Sequence, residues 1–568
     1  MRITLQHVAA TAALLVALGA CGGDATGPQG PAPTVASISP AKGTVGTELT
    51  LTGTNFRDGA TVLVGNTAAP TVQVANGTTI YASVPDSVTA GQTYDVTVRN
   101  ADGTSATSAG AFTAVAPVLL YVNGATKPSG NAGSTVLLEG SAFGDAQGTG
   151  HVLFSDGAGG TVAATIANAN DWTDGFIVTT VPAGAATGPV VVQTATGTSD
   201  SLTFTVTSNA QFSPSTIMWT STTPLPVGLS GHAAAFATVQ GASSSTNFVY
   251  VTGGADSTYA PRNDVYVAPI QSDGSLGSWT STSPLPAAVA FHASVVATPF
   301  NSRVKGTGFI YVFGGATDSA GTPTNTIYRG TLAADGSVSA WAAAGQLPAA
   351  VHSLGAVLFR GDVYLVGGSG ANNAPVATVY RARIDSLGAL GSWQTEASLP
   401  AGRSYDAVAQ FGGYLYAFGG DSSAVTPNDS NYTNNGAKLN QIVYAKIDLR
   451  TGDLVGQSWT ANASGLTKAT SKHTAVVAGG NVLVTGGLYN GAATGSSEES
   501  YAQFNSDGTV SSFNGATGSH TIASAGGANL FNHAAIGYVD ANGVAHVLVL
   551  GGDDVNAPGK KRAEVWFY

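Results

Sequence analysis

Histidine is the residue type whose positions in this chain could support chemistry, namely the binding of a metal ion. Of the nine histidines in 568 residues, five open short apolar runs in the C-terminal part, and a tyrosine stands at the matching place in a sixth run. These residues are His232, His292, His352, Tyr405, His473 and His533. Imidazole is a common ligand of zinc and copper, so a set that converged on one axis could bind a metal ion.

The apolar runs belong to a sequence repeat that occurs six times between residues 208 and 568. Each copy continues with an apolar run that ends in Gly-Gly and a run that bears an aromatic residue, and most copies then have a tryptophan. The Gly-Gly pairs begin at Gly253, Gly314, Gly367, Gly419, Gly486 and Gly551. Glycine lets a strand end in a tight turn, and a repeat of this length with four strands is typical of a β-propeller blade.

One strand of the repeat stands out of order. The run IMWTSTTPLP at 217–226 has the pattern of a fourth strand but precedes every first strand, whereas the chain ends at AEVWFY, a third strand. We therefore expect the strand that bears Trp219 to pair with the last blade, because this pairing leaves no inner strand edge open. The pattern predicts a six-bladed β-propeller closed by its N-terminal strand.

The order of Gly-Gly, Tyr, Trp and Leu-Pro over 208–568 resembles the kelch repeat of six-bladed propellers, an architecture that galactose oxidase shares. The fifth copy departs from it, with Phe513 in place of tryptophan and no Leu-Pro. The resemblance to galactose oxidase implies copper-radical chemistry only where a tyrosine can be cross-linked to a propeller cysteine. The one cysteine of this chain is Cys21, far upstream, so that activity is disfavoured.

A propeller changes the interpretation of the histidines. First strands line the central channel, and a ring around a channel spaces its members too widely for several to reach one ion at about 2 Å. A residue that recurs at one position of a repeat also tends to do the same packing in every copy. We expect a structural ring at the channel mouth, with no metal and no cofactor; a metal site, with Asp406 as the adjoining carboxylate, is the alternative.

The loops between second and third strands are the better candidates for ligand binding, because loops on a rigid frame often carry function. Amides and carboxylates beside an exposed tyrosine suit sugar hydroxyls or a protein epitope. The candidates are Tyr259, Arg262, Asp421, Asn428, Asp429 and Tyr432. Ordinary solvated loops are one alternative, and a calcium site at Asp421, Asn428 and Asp429, without the spacing of an EF-hand, is another.

The N-terminal residues 1–20, apolar from Val8 to Leu18, predict a secretory signal peptide. Leu-Gly-Ala followed by Cys21 resembles the bacterial lipoprotein box, which implies that Cys21 carries a lipid. Residues 21–33 are rich in Gly and Pro, as a flexible tether is. Gly22 stands where an inner-membrane retention signal has Asp, so resemblance to Gram-negative lipoproteins implies the outer membrane and the cell surface. An ordinary signal peptide with an incidental cysteine is the alternative.

Residues 34–116 contain short alternating strands with frequent turns, which predict an immunoglobulin-like sandwich. Pro40, the spaced glycines and the Gly53-x-x-Phe56 motif resemble the IPT/TIG domain. A looser copy of the same pattern, with Phe143 at the end of its motif, covers 117–207. The predicted fold class is therefore all-β: two immunoglobulin-like sandwiches followed by a propeller.

Composition excludes one class of partner. The net charge is −11, charged residues are 9% of the chain, and the 21 Lys and Arg are dispersed, so no basic face for nucleic acid is expected. The sequence predicts a binding protein anchored to the membrane by the lipid at Cys21, which recognises extracellular polysaccharide or a surface protein. We do not expect an enzyme. A carbohydrate-active enzyme and a purely structural envelope scaffold are the alternatives.

Overall fold

The computed structural model describes residues 30–207, 217–241, 245–299, 301–304, 306–339, 341–427, 436–478, 480–489, 499–505, 507–515, 521–523, 525, 527, 529–539, 544–557 and 559–568. Cys21, Asn428, Asp429 and Tyr432 lie outside these ranges, as do the expected signal peptide and most of the tether. Within these ranges the regular elements are β-strands, apart from 3-10 turns at Ala169–Asp171, Ala371–Asn373 and Val455–Gln457. In the described ranges, no helix has the length and apolarity to cross a bilayer. The chain is all-β, as the sequence predicts.

Two facing sheets make up the first domain. Its strands are β1 (Thr34–Ser39), β2 (Lys42–Gly43), β3 (Glu48–Thr54), β4 (Thr61–Val64), β5 (Thr67–Ala68), β6 (Val72–Asn76), β7 (Thr79–Ser83), β8 (Thr93–Arg99) and β9 (Ser105–Ala114). They form sheets in the orders β1-β3-β7-β6 and β2-β9-β8-β4-β5. Leu49 and Leu51 on β3 and Val96 and Val98 on β8 are buried, because alternate residues of a strand share one face.

The next nine strands repeat this arrangement. They are β10 (Val118–Val122), β11 (Ser129–Asn131), β12 (Thr135–Ser141), β13 (His151–Ser155), β14 (Thr161–Ala163), β15 (Phe176–Thr180), β16 (Gly188–Thr194), β17 (Gly197–Thr198) and β18 (Leu202–Thr207). The sheet orders β10-β12-β15 and β11-β18-β16-β13-β14 follow those of the first domain, except that no described strand corresponds to β6 and that β17 is an additional strand paired with β16. Trp172 is buried in this core, and its Nε1 donates to the Phe143 carbonyl at 3.0 Å.

One glycine in each sandwich permits a close approach of strands. A Cβ on Gly53 would lie 1.8 Å from the Thr34 carbonyl oxygen and 2.7 Å from the Phe56 ring. A Cβ on Gly140 would lie 1.9 Å from the Val118 carbonyl oxygen and 2.5 Å from the Phe143 ring. No side chain fits at either position, so the Gly-x-x-Phe motif has the same packing role in both domains.

Five four-stranded antiparallel sheets follow in chain order, and a sixth closes the series. The strands are β19 (Thr220–Thr222), β20 (Ala233–Gln240), β21 (Ser245–Thr252), β22 (Val265–Pro269), β23 (Thr280–Ser281), β24 (Ala293–Ala297), β25 (Phe309–Phe313), β26 (Thr326–Thr331), β27 (Ala342–Gln346), β28 (Gly355–Phe359), β29 (Asp362–Val366), β30 (Val379–Arg383), β31 (Gln394–Thr395), β32 (Ala407–Phe411), β33 (Tyr414–Phe418), β34 (Ile442–Lys446), β35 (Thr460–Ala461), β36 (Thr470–Ser471), β37 (Thr474–Ala478), β38 (Asn481–Thr485), β39 (Leu488–Tyr489), β40 (Ser500–Gln503), β41 (Asn514–Gly515), β42 (Leu530–Phe531), β43 (Ala534–Val539), β44 (Ala545–Asp554) and β45 (Lys561–Phe567). The five sheets are β20 to β23, β24 to β27, β28 to β31, β32 to β35, and β37-β38-β40-β41, while β36 pairs with β39.

The sixth sheet joins the two ends of this region. Strand β19 pairs antiparallel with β45, with Thr220 opposite Phe567 and Ser221 opposite Trp566. Strand β45 continues to β44, which also pairs with β42 and β43. Trp219 lies buried beside Trp566 in one apolar cluster, and its Nε1 donates to Glu499 Oε2 at 2.8 Å. The pairing of the early strand with the last sheet is the one that the sequence predicts.

The first strands of the six sheets contact one another in a closed order. Strand β20 contacts β24, β24 contacts β28, β28 contacts β32, β32 contacts β37, β37 contacts β43, and β43 contacts β20 again. The second strand of each sheet contains a run of buried, mostly apolar residues, as at 363–366 in β29. The six sheets therefore have their first strands around one common axis, and their cores lie between neighbouring sheets.

Candidate functional site

At the start of each first strand one residue has a left-handed backbone conformation. These residues, the backbone ring, have φ between 50° and 58°: Gly231, Phe291, Ser353, Tyr405, Lys472 and Asn532. The amide N–H of each donates to the carbonyl of the ring member in the preceding sheet, at 2.6 to 3.1 Å, and Gly231 closes the circle on Asn532. Six backbone hydrogen bonds thus encircle the axis.

The residue after each ring member occupies what we name the wedge position. The wedge residues are His232, His292, Leu354, Asp406, His473 and His533. The sequence-based alignment was therefore wrong in two repeats, since His352 lies two residues before the third wedge residue and Tyr405 belongs to the backbone ring. Five of the six ring members are not glycine, so no sequence feature marked the turn, and a histidine close to it in the third repeat took its place in the alignment.

The wedge residues fill the space that the Gly-Gly pairs leave. A Cβ added to Gly254 would lie 2.7 Å from the Cβ of His232, in the same sheet. A Cβ added to Gly486 would lie 2.6 Å from Cε1 of His533, which comes from the next sheet. A side chain on the glycine pair is excluded because a wedge side chain packs against the pair from each side. Each wedge residue therefore contacts two neighbouring sheets.

Hydrogen bonds show what the wedge histidines do. Nε2 of His292 hydrogen-bonds to Thr252 Oγ1 at 2.8 Å, and Nε2 of His533 to Thr485 Oγ1 at 2.9 Å, both in the preceding sheet. Burial lowers the pKa of His292 and His533 to about 3, and that of His232 and His473 to about 4. At neutral pH these imidazoles are uncharged packing groups. Within the described part of the chain, no three His, Cys, Asp or Glu side chains are placed to hold a metal ion.

Asp406 differs from the other wedge residues. Its carboxylate is buried, neither oxygen has a hydrogen-bond partner among the described residues, and burial raises its pKa to about 7, partly offset by the charge of Arg403. The ring and wedge residues of all six sheets line a cavity of about 120 Å³, the axial cavity. A carboxyl group that titrates near pH 7 inside a cavity is able to exchange protons with a bound molecule.

Aromatic side chains cover the axis beside the ring. The rings of Phe291 and Tyr405 meet edge to face with centroids 5.9 Å apart. Val425, from the long loop after β33, is buried against them in the same apolar cluster. Nζ of Lys472 lies 5.0 Å from the centroid of the Tyr405 ring. Aromatic surface thus lies beside the polar groups that line the axial cavity.

His352 has a different task from the one expected. It is fully buried, Nδ1 hydrogen-bonds to Ser353 Oγ and Nε2 to Asn373 Oδ1, each at 2.8 Å. Asn373 in turn donates to the Ala320 carbonyl at 3.2 Å. His352 therefore connects loops of the second and third sheets and takes no part in the axial cavity.

Two of the expected ligand-binding side chains are buried. Tyr259 is 5% exposed, and Nζ of Lys561 lies 3.3 Å from its ring centroid. Asp421 is 0% exposed and lies 3.6 Å from Nζ of Lys438. The expectation of an exposed Tyr259 was wrong because Lys561, the first residue of β45 and also paired with Asp553, lies over the Tyr259 ring. Arg262 remains partly exposed and pairs with Asp264 at 2.6 Å.

Comparisons with known proteins identify the family of one domain. No curated protein matches the chain. A solved structure entitled "Structure of YjhT" matches with 13% identity and a TM-score of 0.43, over 61% of this chain and 95% of that one. Values this low leave the fold and function to be argued from the chain's own residues. The model of the IPT/TIG domain matches residues 33–114. The first sandwich is therefore an IPT/TIG domain, as Pro40 and the Gly53-x-x-Phe56 motif indicate.

Proposed function

We propose that this protein is a lipid-anchored binding protein of the bacterial cell surface. In this proposal Cys21 carries the lipid, the two sandwiches over 34–207 form the support, and 208–568 is a kelch-like six-bladed propeller that recognises extracellular polysaccharide or a surface protein. Support for the propeller comes from the six sheets, the closed order of their first strands and the pairing of β19 with β45. Support for a second IPT/TIG-like domain comes from the matching strand order and from Gly140.

The observation that favours recognition over catalysis is the burial of the histidines at the wedge position. Four of its six members are histidines, the residues best suited to catalysis at neutral pH, and all four are neutral, buried and packed between sheets. They are side chains of a rigid frame. The loops after the Gly-Gly pairs are long and differ in length, as 367–378 and 419–441 show, and binding residues on rigid frames are usually found in such loops.

A glycan array tests the proposal. Residues 22–568, which lack only the signal peptide and the lipidated cysteine, are applied with and without EDTA. Saturable binding that Arg262→Ala weakens, and that the exposed control Arg99→Ala in the first sandwich leaves unchanged, would support glycan binding by the loops that follow the Gly-Gly pairs, which we name the loop face. Loss of binding in EDTA would indicate a bound calcium or other metal ion. An empty array would direct the search to protein partners captured from the cell envelope, and failure there too would leave the scaffold alternative.

Asp406 supports a second candidate, a carbohydrate-active enzyme that uses the axial cavity. A single unpaired carboxyl with a pKa of about 7 is suited to general acid–base catalysis. If the protein is such an enzyme, Asp406→Asn lowers kcat by about a hundredfold or more, since acid–base groups contribute that much. A binding protein shows no turnover in either form, and its affinity changes little.

A further inference from the structure

A second cavity lies at the other ends of the first strands. The backbone ring sits where these strands begin, whereas this cleft, of about 200 Å³, is lined by their final residues, such as Phe359 on β28 and Phe411 on β32. Its opposite wall is the second sandwich, with Asn123, Ser129 and Thr135. Residues Ala114–Tyr568 belong to one compact unit, so the cleft lies within a single body.

The walls of the cleft are polar but uncharged. The second sandwich supplies amide and hydroxyl side chains, and the ends of the first strands supply aromatic and aliphatic surface together with Gln410. None of the described residues that line it is charged. Small-molecule sites of this kind combine apolar surface with a few placed polar groups, and they often form at domain interfaces. An ionic ligand would find no counter-charge here.

One polar group in the cleft needs a partner. The Gln410 amide nitrogen Nε2 is buried and has no hydrogen-bond partner among the described residues. Buried polar groups in folded proteins are almost always paired, so this donor at the cavity wall is available to hydrogen-bond a molecule bound in the cleft. Across the cleft, Oδ1 of Asn123 accepts from the Leu137 amide at 2.9 Å, which fixes the orientation of that side chain.

The two walls are held at a fixed distance. Glu139 of the second sandwich forms ion pairs with Arg303 and with Arg360, the latter at 3.4 Å. A Cβ on Gly124, which has φ of 72°, would lie 2.9 Å from the Arg360 carbonyl oxygen, so only glycine allows this approach. Thr126 Oγ1 donates to the Pro299 carbonyl at 2.7 Å. A cleft with such walls is preformed, and binding would not have to order it.

We propose that this cleft binds a small, uncharged, hydroxyl-bearing molecule of about the size of one sugar ring. Hydroxyl groups of such a molecule accept from Gln410 Nε2 and bond to the amides and hydroxyls of the sandwich. The apolar face of a sugar ring packs on Phe359 and Phe411, as sugar rings pack on aromatic side chains. This site is separate from the loop face and does not depend on the function proposed there.

Calorimetric titration of residues 22–568 with glucose, galactose and N-acetylglucosamine tests the site, with glucuronate and glucosamine as charged counterparts. We expect at least one neutral sugar to bind and neither charged sugar to do so. Gln410→Met removes the donor at constant size and weakens binding about tenfold, the effect of one lost hydrogen bond. Ser129→Trp fills the cleft and abolishes binding. Gln240→Met, an exposed glutamine at the end of β20, is the matched control and leaves the affinity unchanged.

Each other outcome overturns the inference. These are no binding of any neutral sugar, a preference for a charged sugar, or an affinity that neither Gln410→Met nor Ser129→Trp alters in variants whose thermal melting matches the parent. Binding that Arg262→Ala removes while both cleft variants retain it assigns the sugar to the loop face. That result supports the proposed function and rejects the cleft, so the two can fail separately.

Discussion

The first glycine of each Gly-Gly pair is the residue on which the neighbouring sheet rests. At Gly486 the backbone has φ of 62°, and a Cβ would lie 2.4 Å from the Leu530 carbonyl oxygen as well as 2.6 Å from the His533 ring. Both the backbone conformation and the space exclude a side chain. Because the obstructing atom is a backbone oxygen of the next sheet, the structure cannot relax by turning a rotamer.

Gly486→Ala should therefore destabilise the protein by about 2 kcal/mol, the sum of left-handed strain and overpacking. Gly515→Ala is the control, because nothing lies within 4 Å of a Cβ there and its φ is not left-handed. We expect this control to stay within about 0.5 kcal/mol of the parent. Urea unfolding followed by tryptophan fluorescence measures both, and equal midpoints for the two variants would refute the packing role of the glycine pair.

The Asp406 carboxyl predicts a pH dependence of stability. Its pKa is raised from 3.8 to about 7 in the folded protein, so between these pH values the folded state holds a proton that the unfolded state has lost. The contribution of Asp406 is thus most favourable below pH 4 and falls as the pH rises to 7. Asp406→Asn removes this loss and should be more stable than the parent at pH 8 by about 1 kcal/mol or more, with a smaller difference at pH 5.

Unfolding of both proteins by urea at pH 5, 6.5 and 8 checks this prediction. The parent and the variant must be compared, because the histidines change the stability with pH in the opposite direction to Asp406. The wedge histidines have lowered pKa values, so they add stability as the pH rises to about 6.5 in both proteins, and they cancel in the comparison. Only the difference between parent and variant isolates Asp406. A difference that stays constant from pH 5 to pH 8 would mean that the carboxyl is not desolvated.

Among the elements, the edge strand β19 joins the N-terminal end of this region to the sixth sheet. It adds only three residues, but Trp219 beside it fills a buried cluster with Trp566 and Ile522. Its indole donates to Glu499, whose pKa burial raises to about 8. The indole hydrogen bond is thus one of the few that this buried carboxyl has, and it crosses from the N-terminal strand to the fifth sheet.

Trp219→Ala should destabilise the protein by about 3 kcal/mol, as expected for a large buried aromatic. It should also release β45, so the amides of 561–567 should exchange hydrogen faster, while those of β29 in the third sheet keep their protection. Trp219→Phe preserves much of the packing and serves to separate the loss of volume from that of the indole hydrogen bond. Unchanged exchange in β45 after Trp219→Ala would show that other contacts hold β45 in the sixth sheet.

The elements could be predicted from the sequence, because their determinants are local. An apolar run that ends in Gly-Gly fixes a strand and its turn, and the out-of-order run around Trp219 identifies the strand that joins the ends. The start of the first strands could not be predicted, since five of the six left-handed residues are Phe, Ser, Tyr, Lys and Asn. Burial of Tyr259 depends on Lys561, which is distant in the sequence, and no local pattern records such a contact.

At the scale of the whole molecule, the sequence carries one prediction about location. If Cys21 is the lipidated residue, Cys21→Ser should move the protein from the membrane fraction to the soluble fraction, because one dual-acyl anchor accounts for its attachment. Labelling with radioactive palmitate and fractionation of cells measure this. Ser37→Cys, added to the Cys21→Ser protein, restores a cysteine beyond the lipoprotein box; it is the control and should not restore labelling. A Cys21→Ser protein that still sediments with membranes would contradict the anchor.

An ion pair between the partly buried Glu139 and the buried Arg360 joins the second sandwich to the six sheets, and the loss of this pair should destabilise the protein. Glu139 bonds to Arg360, whose side chain is 1% exposed and whose pKa burial lowers, so removal of the carboxylate takes away the one carboxylate that is paired with this buried cation in the described residues and leaves only the more distant charge of Asp362. Glu139→Gln should cost about 2 to 3 kcal/mol. Glu564→Gln breaks the exposed pair with Arg562 instead and should cost less than about 1 kcal/mol. Urea unfolding measures both changes, and limited proteolysis between 114 and 217 shows where the chain opens. Equal effects of the two substitutions would mean that solvent reaches Glu139 and that the sandwich is not held by this pair.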